Sequence, residues 1–239
     1  MKKFLIIFIV SILSLITLGY SLLEVINSRS FQFFGGIVRK VDTKEKVVAL
    51  TFDDGPTKKT DEVLKILEKV DIKATFFLTG QEIEKNFEEA KKIVDAGHEL
   101  GNHSYSHQRM IFKSPHFIKN EIEHTDKLIR KAGYEGTIQF RPPNGKKLIV
   151  LPYYLKKHNR KTILWNIEPD SYPEIASDSK KMIEHVTKKI EPGSIILLHV
   201  MYESRKESLE SIEGIVTELK EKGYTFKTVS ELLDYEEMN

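Results

Sequence analysis

Four short polar clusters carry the side chains of this sequence that could do chemistry. They are Asp53-Asp54-Gly55-Pro56, His103-Ser104-Tyr105-Ser106-His107, Arg141-Pro142-Pro143-Asn144-Gly145 and His199. Two histidines and a carboxylate are typical ligands of a hydrolytic metal site, while a further carboxylate and histidine could serve as general base and general acid. Each cluster also has an ordinary interpretation, because Asp-Gly-Pro is common turn chemistry and most isolated His-x-x-x-His pairs bind no metal. The doubled aspartate is less ordinary, since adjacent carboxylates repel each other unless a cation lies between them.

The composition narrows the kinds of site and partner. The chain has no cysteine, so a metal would have to be held by histidines and carboxylates. The spacing of His103 and His107 would place both imidazoles on one side of a helical turn. The remaining histidines are interpreted as surface or structural residues: His98, His116, His124, His158 and His185. A formal net charge of +2, without a long basic run, argues against a nucleic-acid partner.

Apolar runs of strand length alternate with helical periodicity from about residue 31 onward. Strands are predicted over residues 46–52, 74–79, 98–102, 138–141, 162–166, 194–199 and 224–228. Strands that alternate with helices indicate parallel β–α–β units, and about seven units in roughly 200 residues predict a single-domain α/β barrel somewhat smaller than the eight-fold one. A doubly wound open sheet is the alternative. In both architectures the active site lies at the carboxyl ends of the strands, where all four clusters fall, so we expect the clusters to lie together at that end of the sheet.

The N-terminal segment predicts a membrane helix. Two lysines precede a run from Phe4 to Leu23 without a charged residue, and about 20 apolar residues span the hydrocarbon core of a bilayer. No A-x-A cleavage motif is present, although residues 18–21 leave room for cleavage. The lysines would stay in the cytoplasm and the rest of the chain would lie outside, bound to the cell membrane or, after cleavage, secreted. The expected organisation is a signal anchor or signal peptide over residues 1–24, a linker over 25–37 and the catalytic domain over 38–239.

The segments TFDDGP, HSYSH, FRPPNG and LLH, in this order, resemble the polysaccharide deacetylase family with the NodB homology domain, which is carbohydrate esterase family 4. The resemblance covers about residues 38–235, and TFDDGP followed about fifty residues later by His-x-x-x-His is its most specific element. It implies a distorted (β/α)7-type barrel and a single divalent metal ion, usually zinc. By this resemblance the metal ligands are Asp54, His103 and His107, the catalytic base is Asp53, the group that orients the base is Arg141, and the general acid is His199.

Elementary chemistry supports the same roles. Three protein ligands leave zinc with open positions for a water molecule and the substrate carbonyl, and a carboxylate beside them could remove the proton of the water. The oxyanion that forms needs fixed donors, which would be the metal and the backbone N–H of Asn144. An amine leaves poorly unless it is protonated, and His199 could supply that proton.

Two positions depart from the family pattern. The family often has tyrosine where this chain has Asn144, and because the useful donor there is a backbone N–H, we expect the change to affect substrate contacts more than chemistry. The family's D-x-x-D-W segment corresponds to residues 168–172, so Ser171 takes the place of the second aspartate and Tyr172 that of the tryptophan. Asp170 could replace the missing carboxylate if the loop shifts. Asp170 is therefore the candidate partner of His199, and Tyr172 is a candidate substrate contact.

The sequence thus predicts metal-dependent hydrolysis of N-acetyl groups on the amino sugars of a polysaccharide, which could be peptidoglycan, a chitin-type oligomer or a surface polysaccharide. Location favours peptidoglycan, since residues 24–45 could hold the domain at most ~75 Å from the membrane. An inactive sugar-binding relative is one alternative. A glycosidase is another, but it needs two carboxylates across a cleft, for which adjacent aspartates are badly placed. The expected partners are the polysaccharide and the membrane, and no obligate protein partner is indicated.

Overall fold

The computed structural model describes residues 2–237, in which short parallel strands alternate with helices. The strands are β1 (Ile37–Val38), β2 (Val47–Asp53), β3 (Thr75–Leu78), β4 (Glu99–Asn102), β5 (Thr162–Ile163), β6 (Ile195–Leu198) and β7 (Thr225–Phe226). The helices are α1 (Lys2–Asn27), α2 (Thr60–Lys69), α3 (Gly80–Lys85), α4 (Phe87–Asp95), α5 (Pro115–Lys131), α6 (Val150–Lys157), α7 (Pro173–Ala176), α8 (Ser179–Lys189), α9 (Lys206–Glu221) and α10 (Val229–Glu237).

The strand β2 lies at the centre of a five-stranded parallel sheet. On one side it pairs with β7 at its start and with β3 at its carboxyl end, and on the opposite side it pairs with β6. β4 extends the sheet beyond β3, while β1 and β5 form a second, two-stranded parallel sheet. Phe140 connects the two sheets by single-residue bridges to β4 and β5, and Ile167, four residues after β5, is bridged to β6. A closed barrel of seven strand–helix units stays a prediction, because these connections are bridges and not strands.

The core forms where the sequence has its longest apolar runs. All seven residues of β2 are buried, as expected for a strand covered on both faces. Each helix that packs on the sheet buries one apolar stripe, such as Val63 and Leu67 of α2. Full burial of a side chain of this size contributes about 1.5–3 kcal/mol. The core therefore holds the carboxyl ends of β2, β3, β4 and β6 beside one another.

The strand predicted over residues 138–141 is wrong in extent, since only Phe140 is bridged to its neighbours. Arg160 Nη2 donates to the carbonyl oxygen of Ile138 at 2.9 Å, so a side chain and not a strand satisfies that acceptor. Pro142 has no N–H with which to continue a ladder.

Three helices, α3, α7 and α10, were not predicted from the sequence. The start of α10 carries a capping box, in which Glu231 Oε2 accepts from the backbone N–H of Thr228 at 2.8 Å and Thr228 Oγ1 accepts from that of Glu231 at 3.3 Å. This Thr-x-x-Glu spacing was the local signal for a helix there.

The helix α1 is long and apolar enough to cross a membrane, with a mean hydropathy of 2.4 over its most apolar window. Residues 26–36, most of the expected linker, lie against the domain, and we call them the arm. Ile26 is buried, and the buried ammonium of Lys147 donates to the carbonyl oxygen of Ser28. Directly after the arm, β1 pairs with β5. The arm is therefore a folded part of the domain, because a buried lysine requires the acceptor that it provides.

Candidate active site

Asp53 and Asp54 lie at the carboxyl end of β2 in different surroundings. Asp53 is buried at the end of the strand, whereas Asp54 has a φ of 72°, in the left-handed region that aspartate tolerates better than most residues. Asp53 Oδ1 lies 2.6 Å from Arg141 Nη1. Asp54 Oδ1 lies 3.4 Å from His107 Nε2. The Arg141 cation thus relieves part of the repulsion between the two adjacent carboxylates.

Arg141 is fully buried and fixes one oxygen of Asp53. Its Nη1 donates to Asp53 Oδ1 and to Thr51 Oγ1 at 2.8 Å, and its Nη2 donates to the carbonyl oxygen of Leu164 at 3.2 Å. Burial lowers the pKa of Arg141, and the Asp53 carboxylate opposes this effect. The second oxygen of Asp53, Oδ2, lies 3.5 Å from His103 Nε2. Arg141 therefore leaves Asp53 with one free oxygen, which faces the histidines.

His103 is positioned as a neutral metal ligand. Its Nδ1 lies 2.8 Å from the carbonyl oxygen of Arg141, and since a carbonyl can only accept, Nδ1 carries the hydrogen and Nε2 keeps its lone pair. Burial lowers the pKa of His103 to about 3, although the Asp54 charge acts in the opposite direction. A neutral imidazole is the form that binds a metal.

The helical turn predicted for the two histidines is wrong, because residues 103–108 form a loop. His107 has a φ of 55°, which no helical turn allows. Glu121 of α5 holds the loop. One of its oxygens accepts from two backbone N–H groups at 3.0 and 2.8 Å, and the other accepts from Ser106 Oγ at 2.9 Å. The position of His107 thus depends on a buried glutamate of another element.

The donors of Asp54, His103 and His107 fit a divalent metal ion. One ligand atom from each lies within 4.8 Å of the others. Ligand atoms of a tetrahedral site with bonds of about 2.1 Å are about 3.4 Å apart. Asp54 Oδ1 and His107 Nε2 have this separation. Two imidazoles and one carboxylate are also the donor set of many hydrolytic metal sites.

Asp170, and not Ser171, lies beside His199. Asp170 Oδ2 accepts from the backbone N–H of His199 at 2.7 Å and lies 3.1 Å from its Nδ1. The short helical turn that begins at Pro169 buries Asp170 and leaves Ser171 exposed. Burial alone would lower the pKa of His199, but the hydrogen bond and charge of Asp170, with the charges of Asp53 and Asp54, raise it to about 9. His199 therefore carries a proton at neutral pH and presents Nε2 away from Asp170.

The two candidate substrate contacts lie in different places. Asn144 is exposed, has a φ of 56°, and accepts with its Oδ1 from Arg109 Nε at 3.3 Å. Tyr172 is 43% exposed, and its ring centroid lies 5.2 Å from that of His185 on α8. Lys189 Nζ lies 5.7 Å from the same ring. Asn144 is thus joined to the loop that carries His107, whereas the Tyr172 ring packs on α8.

Glu168 links the site to the arm, which sequence reasoning missed. Glu168 Oε2 accepts from Trp165 Nε1 at 2.7 Å and from Arg29 Nη2 at 3.0 Å. The Arg29 guanidinium also lies 4.5 Å from the Trp165 ring. Ligand atoms of Glu168, Asp170 and His199 lie within 4.8 Å of one another. We interpret this group as a hydrogen-bond network and not as a second metal site, because protein donors occupy one oxygen of each carboxylate, Glu168 Oε2 and Asp170 Oδ2.

The missed residues differ in the signal that could have found them. Glu121 falls on the otherwise apolar face of α5, beside Ile118 and Ile122, and a glutamate there indicates a buried partner. Arg29 has no such signal, since only the tertiary fold brings the arm to Glu168. His98, by contrast, is structural as expected: burial lowers its pKa to about 4, and its Nδ1 accepts from a backbone N–H at 3.2 Å.

Comparisons with known proteins agree on one family. The sequence profile named polysaccharide deacetylase matches residues 40–163. The chain is 34% identical over 202 residues to a peptidoglycan-N-acetylglucosamine deacetylase of Bacillus cereus, covering 84% of this chain and 94% of that protein. It is 32% identical over 203 residues to the peptidoglycan-N-acetylmuramic acid deacetylase PdaA of Bacillus subtilis, covering 82% and 75%. Among solved structures, a CE4 family pseudoenzyme from Bacillus anthracis superposes with a TM-score of 0.73 at 31% identity, covering 83% of this chain and 69% of that one.

Proposed function

The chain belongs to the polysaccharide deacetylase family, and we propose that it hydrolyses N-acetyl groups on the amino sugars of peptidoglycan. One observation carries the proposal: two fixed proton-transfer groups, Asp53 with Arg141 and His199 with Asp170, accompany the metal-ligand group. Hydrolysis of an amide requires both groups, because the water must lose a proton and the leaving amine must gain one. The names of the Bacillus relatives support peptidoglycan as the polymer.

We assign Asp54, His103 and His107 as the ligands of one zinc ion. When bound, zinc would acidify a water molecule and polarise the acetamide oxygen. Asp53 accepts the proton of the water at Oδ2, because Arg141 holds its other oxygen. This free oxygen lies 3.5 Å from a ligand nitrogen, so it borders the position where the water must be.

His199 acts as the general acid and protonates the leaving amine from Nε2. Asp170 holds the opposite nitrogen and fixes the orientation of the ring. With a pKa of about 9, the imidazolium is present at neutral pH, and the amine is the stronger base once the C–N bond begins to break. The backbone N–H of Asn144 is the assigned oxyanion donor of the protein, and Tyr172 is a candidate contact with a neighbouring sugar.

We further propose that α1 anchors the enzyme in the cell membrane, with the domain on the outer face. The length and composition of the helix and the lysines before it support this orientation. If a signal peptidase cleaves the helix, the enzyme is secreted.

An inactive sugar-binding relative is the second candidate function, because the Bacillus anthracis pseudoenzyme shares the fold. Against it, all three ligands and both proton-transfer pairs are present in this chain. Such a relative would bind the polymer and release no acetate.

Acetate release from the purified full chain tests the proposal. The substrates are peptidoglycan, chitooligosaccharides and an N-acetylated surface polysaccharide, compared side by side. Asp61→Asn is the matched control for Asp53→Asn, the variant without the proposed base, since Asp61 is an exposed aspartate of α2 that pairs with Lys92. We expect acetate from peptidoglycan with the native chain and with this control. A protein that holds one metal ion per chain and releases no acetate from any of the three polymers would instead be the inactive relative.

A further inference from the structure

Three cations from separate segments are joined by hydrogen bonds to residues at or beside the candidate site and the arm. They are Arg29 of the arm, Arg109 of the segment after His107, and Lys146 of the segment after Asn144, and we call them the rim cations. Their side chains are exposed or half-buried, so a bound molecule could reach them.

The rim cations are close enough to repel one another. Burial lowers the pKa of Lys146, and the charges of Arg109 and Arg29 lower it further. The neighbouring Lys147 has a pKa of about 8, because of burial and then of the charges of Lys146 and Arg29. Like charges gathered in this way create a positive potential, which attracts an anion whose charge offsets the repulsion.

The protein itself supplies little negative charge at this place. Arg29 pairs with Glu168 at 3.0 Å. Within residues 2–237, neither Arg109 nor Lys146 has a carboxylate oxygen within 4.0 Å, and each donates to a neutral amide oxygen. Two cationic side chains, Arg109 and Lys146, therefore have no ionic partner among the described residues.

Asn144 orients Arg109 for an incoming anion. Its amide oxygen accepts from Arg109 Nε, so the two terminal nitrogens of the guanidinium have no partner among the described side chains. These nitrogens form the planar fork that binds a carboxylate through two parallel hydrogen bonds. The position at which this chain departs from the family pattern is thus the one that holds Arg109.

We propose that the rim cations form a subsite for a carboxylate on the substrate strand, so that the enzyme prefers amino-sugar strands that carry carboxylates to neutral ones. This inference rests on the proposed function. Arg109 is two residues from the assigned ligand His107, which limits their Cα separation to ~7 Å. The carboxylate would therefore belong to the sugar that is deacetylated or to its neighbour, as does the lactyl carboxylate of a peptidoglycan strand that lacks its peptide, or to the peptide attached to one of these sugars.

Matched substrates test the subsite. One is a peptidoglycan strand with free carboxylates, and the other is the same strand after carbodiimide coupling has converted them to neutral amides. The measured quantity is the ratio of kcat/KM for the two strands with the full chain. We expect the native protein to prefer the charged strand, and Arg109→Gln or Lys146→Gln to reduce this preference about fivefold, mainly through KM. Lys91→Gln is the control, because Lys91 is a half-buried lysine of α4 that pairs with Glu88 and carries the same charge.

The possible results separate the explanations. The proposed subsite is wrong if the native protein does not prefer the charged strand, or if Arg109→Gln and Lys146→Gln prefer it as much as the Lys91→Gln control does. If the variants lose sedimentation with phosphatidylglycerol vesicles while the substrate ratio stays constant, the rim cations bind lipid headgroups and the inference is wrong. If no strand releases acetate, the proposed function fails, and calorimetric affinities for the same two strands decide the subsite. A melting temperature near the native value shows that each variant is folded.

Discussion

Asp170→Asn is the substitution that most directly tests the assignment of the general acid. It keeps the shape of the side chain and removes the charge that lies 3.1 Å from His199 Nδ1. Asp170 is the strongest of the influences that raise the pKa of His199 to about 9, and burial opposes all of them. In the variant we expect this pKa to fall to its ordinary value of about 6.5 or lower.

The size of the effect follows from these two values. At pH 7.5, a histidine with a pKa of about 9 is about 97% protonated, whereas one with a pKa of about 6.5 is about 9% protonated. If the imidazolium is the acid, turnover at this pH falls about tenfold or more. The alkaline limb of the rate profile moves down by about 2.5 pH units or more. A metal ion bound at Asp54 would lower the pKa of His199 in both proteins and leave the direction of the difference unchanged.

The assay is acetate release between pH 5.5 and 9.5 at equal metal content. Ser171→Ala is the matched control, because Ser171 is the exposed neighbour of Asp170 and occupies the position at which the family has its aspartate. It should leave the profile unchanged. The assignment is refuted if Asp170→Asn keeps the native alkaline limb, or if Ser171→Ala moves it.

The same ion pair predicts a pH dependence of stability that requires no activity. The pKa of His199 in the folded protein, about 9, is above the ordinary value near 6.5. The contribution of protonated His199 to the free energy of unfolding is therefore complete below about pH 6.5 and is lost as the pH rises through about 9. The melting temperature of the native protein should therefore fall as the pH rises from about 6.5 to about 9, and that of Asp170→Asn should not show this fall.

Three further predictions follow from the remaining groups. His103→Ala should lose most of the metal while circular dichroism shows the native fold, and retention of the full metal content would contradict the ligand assignment. Asp53→Asn should keep the metal and lower turnover by roughly 10²-fold or more. Glu121→Gln should weaken metal binding about 10–100-fold, because the amide cannot accept all three hydrogen bonds that hold the His107 loop. A chain shortened to residues 38–239, which lacks the arm, should be less stable than one of residues 25–239 by about 2 kcal/mol, which is about 4–8 °C in melting temperature. Equal melting temperatures would show that the arm is only a linker.

The sequence allowed the strands and the candidate residues that directly follow them to be predicted because both depend on local pattern. The run that ends at Phe52 is apolar at nearly every position, as only a fully covered strand requires, and Asp53 and Asp54 follow it directly. The same reasoning placed His103 after β4 and His199 after β6. In each case the residue lies within two positions of the strand that holds it.

Features that depend on contacts between distant segments were not predictable in this way. The carboxylate at His199 depends on how the turn at Pro169 is folded, so the spacing could not decide between Asp170 and Ser171. The loop of His107 is fixed by Glu121 on another helix. The extent of the strand near Phe140 depends on Arg160, which satisfies a carbonyl from twenty-two residues away. Pattern within one segment carries no information about such partners.

The arm changes where the substrate must be. A flexible linker could have carried the site up to ~75 Å from the membrane, but Arg29 lies two residues after the end of α1, a distance of at most ~7 Å along the chain. Arg29 is bonded to Glu168, and Glu168 lies beside the carboxylate that holds His199. With α1 in the bilayer, as proposed, the side of the site that carries His199 is held close to the membrane surface. The strands that it deacetylates would then be those nearest the membrane, and the rim cations would meet their carboxylates there.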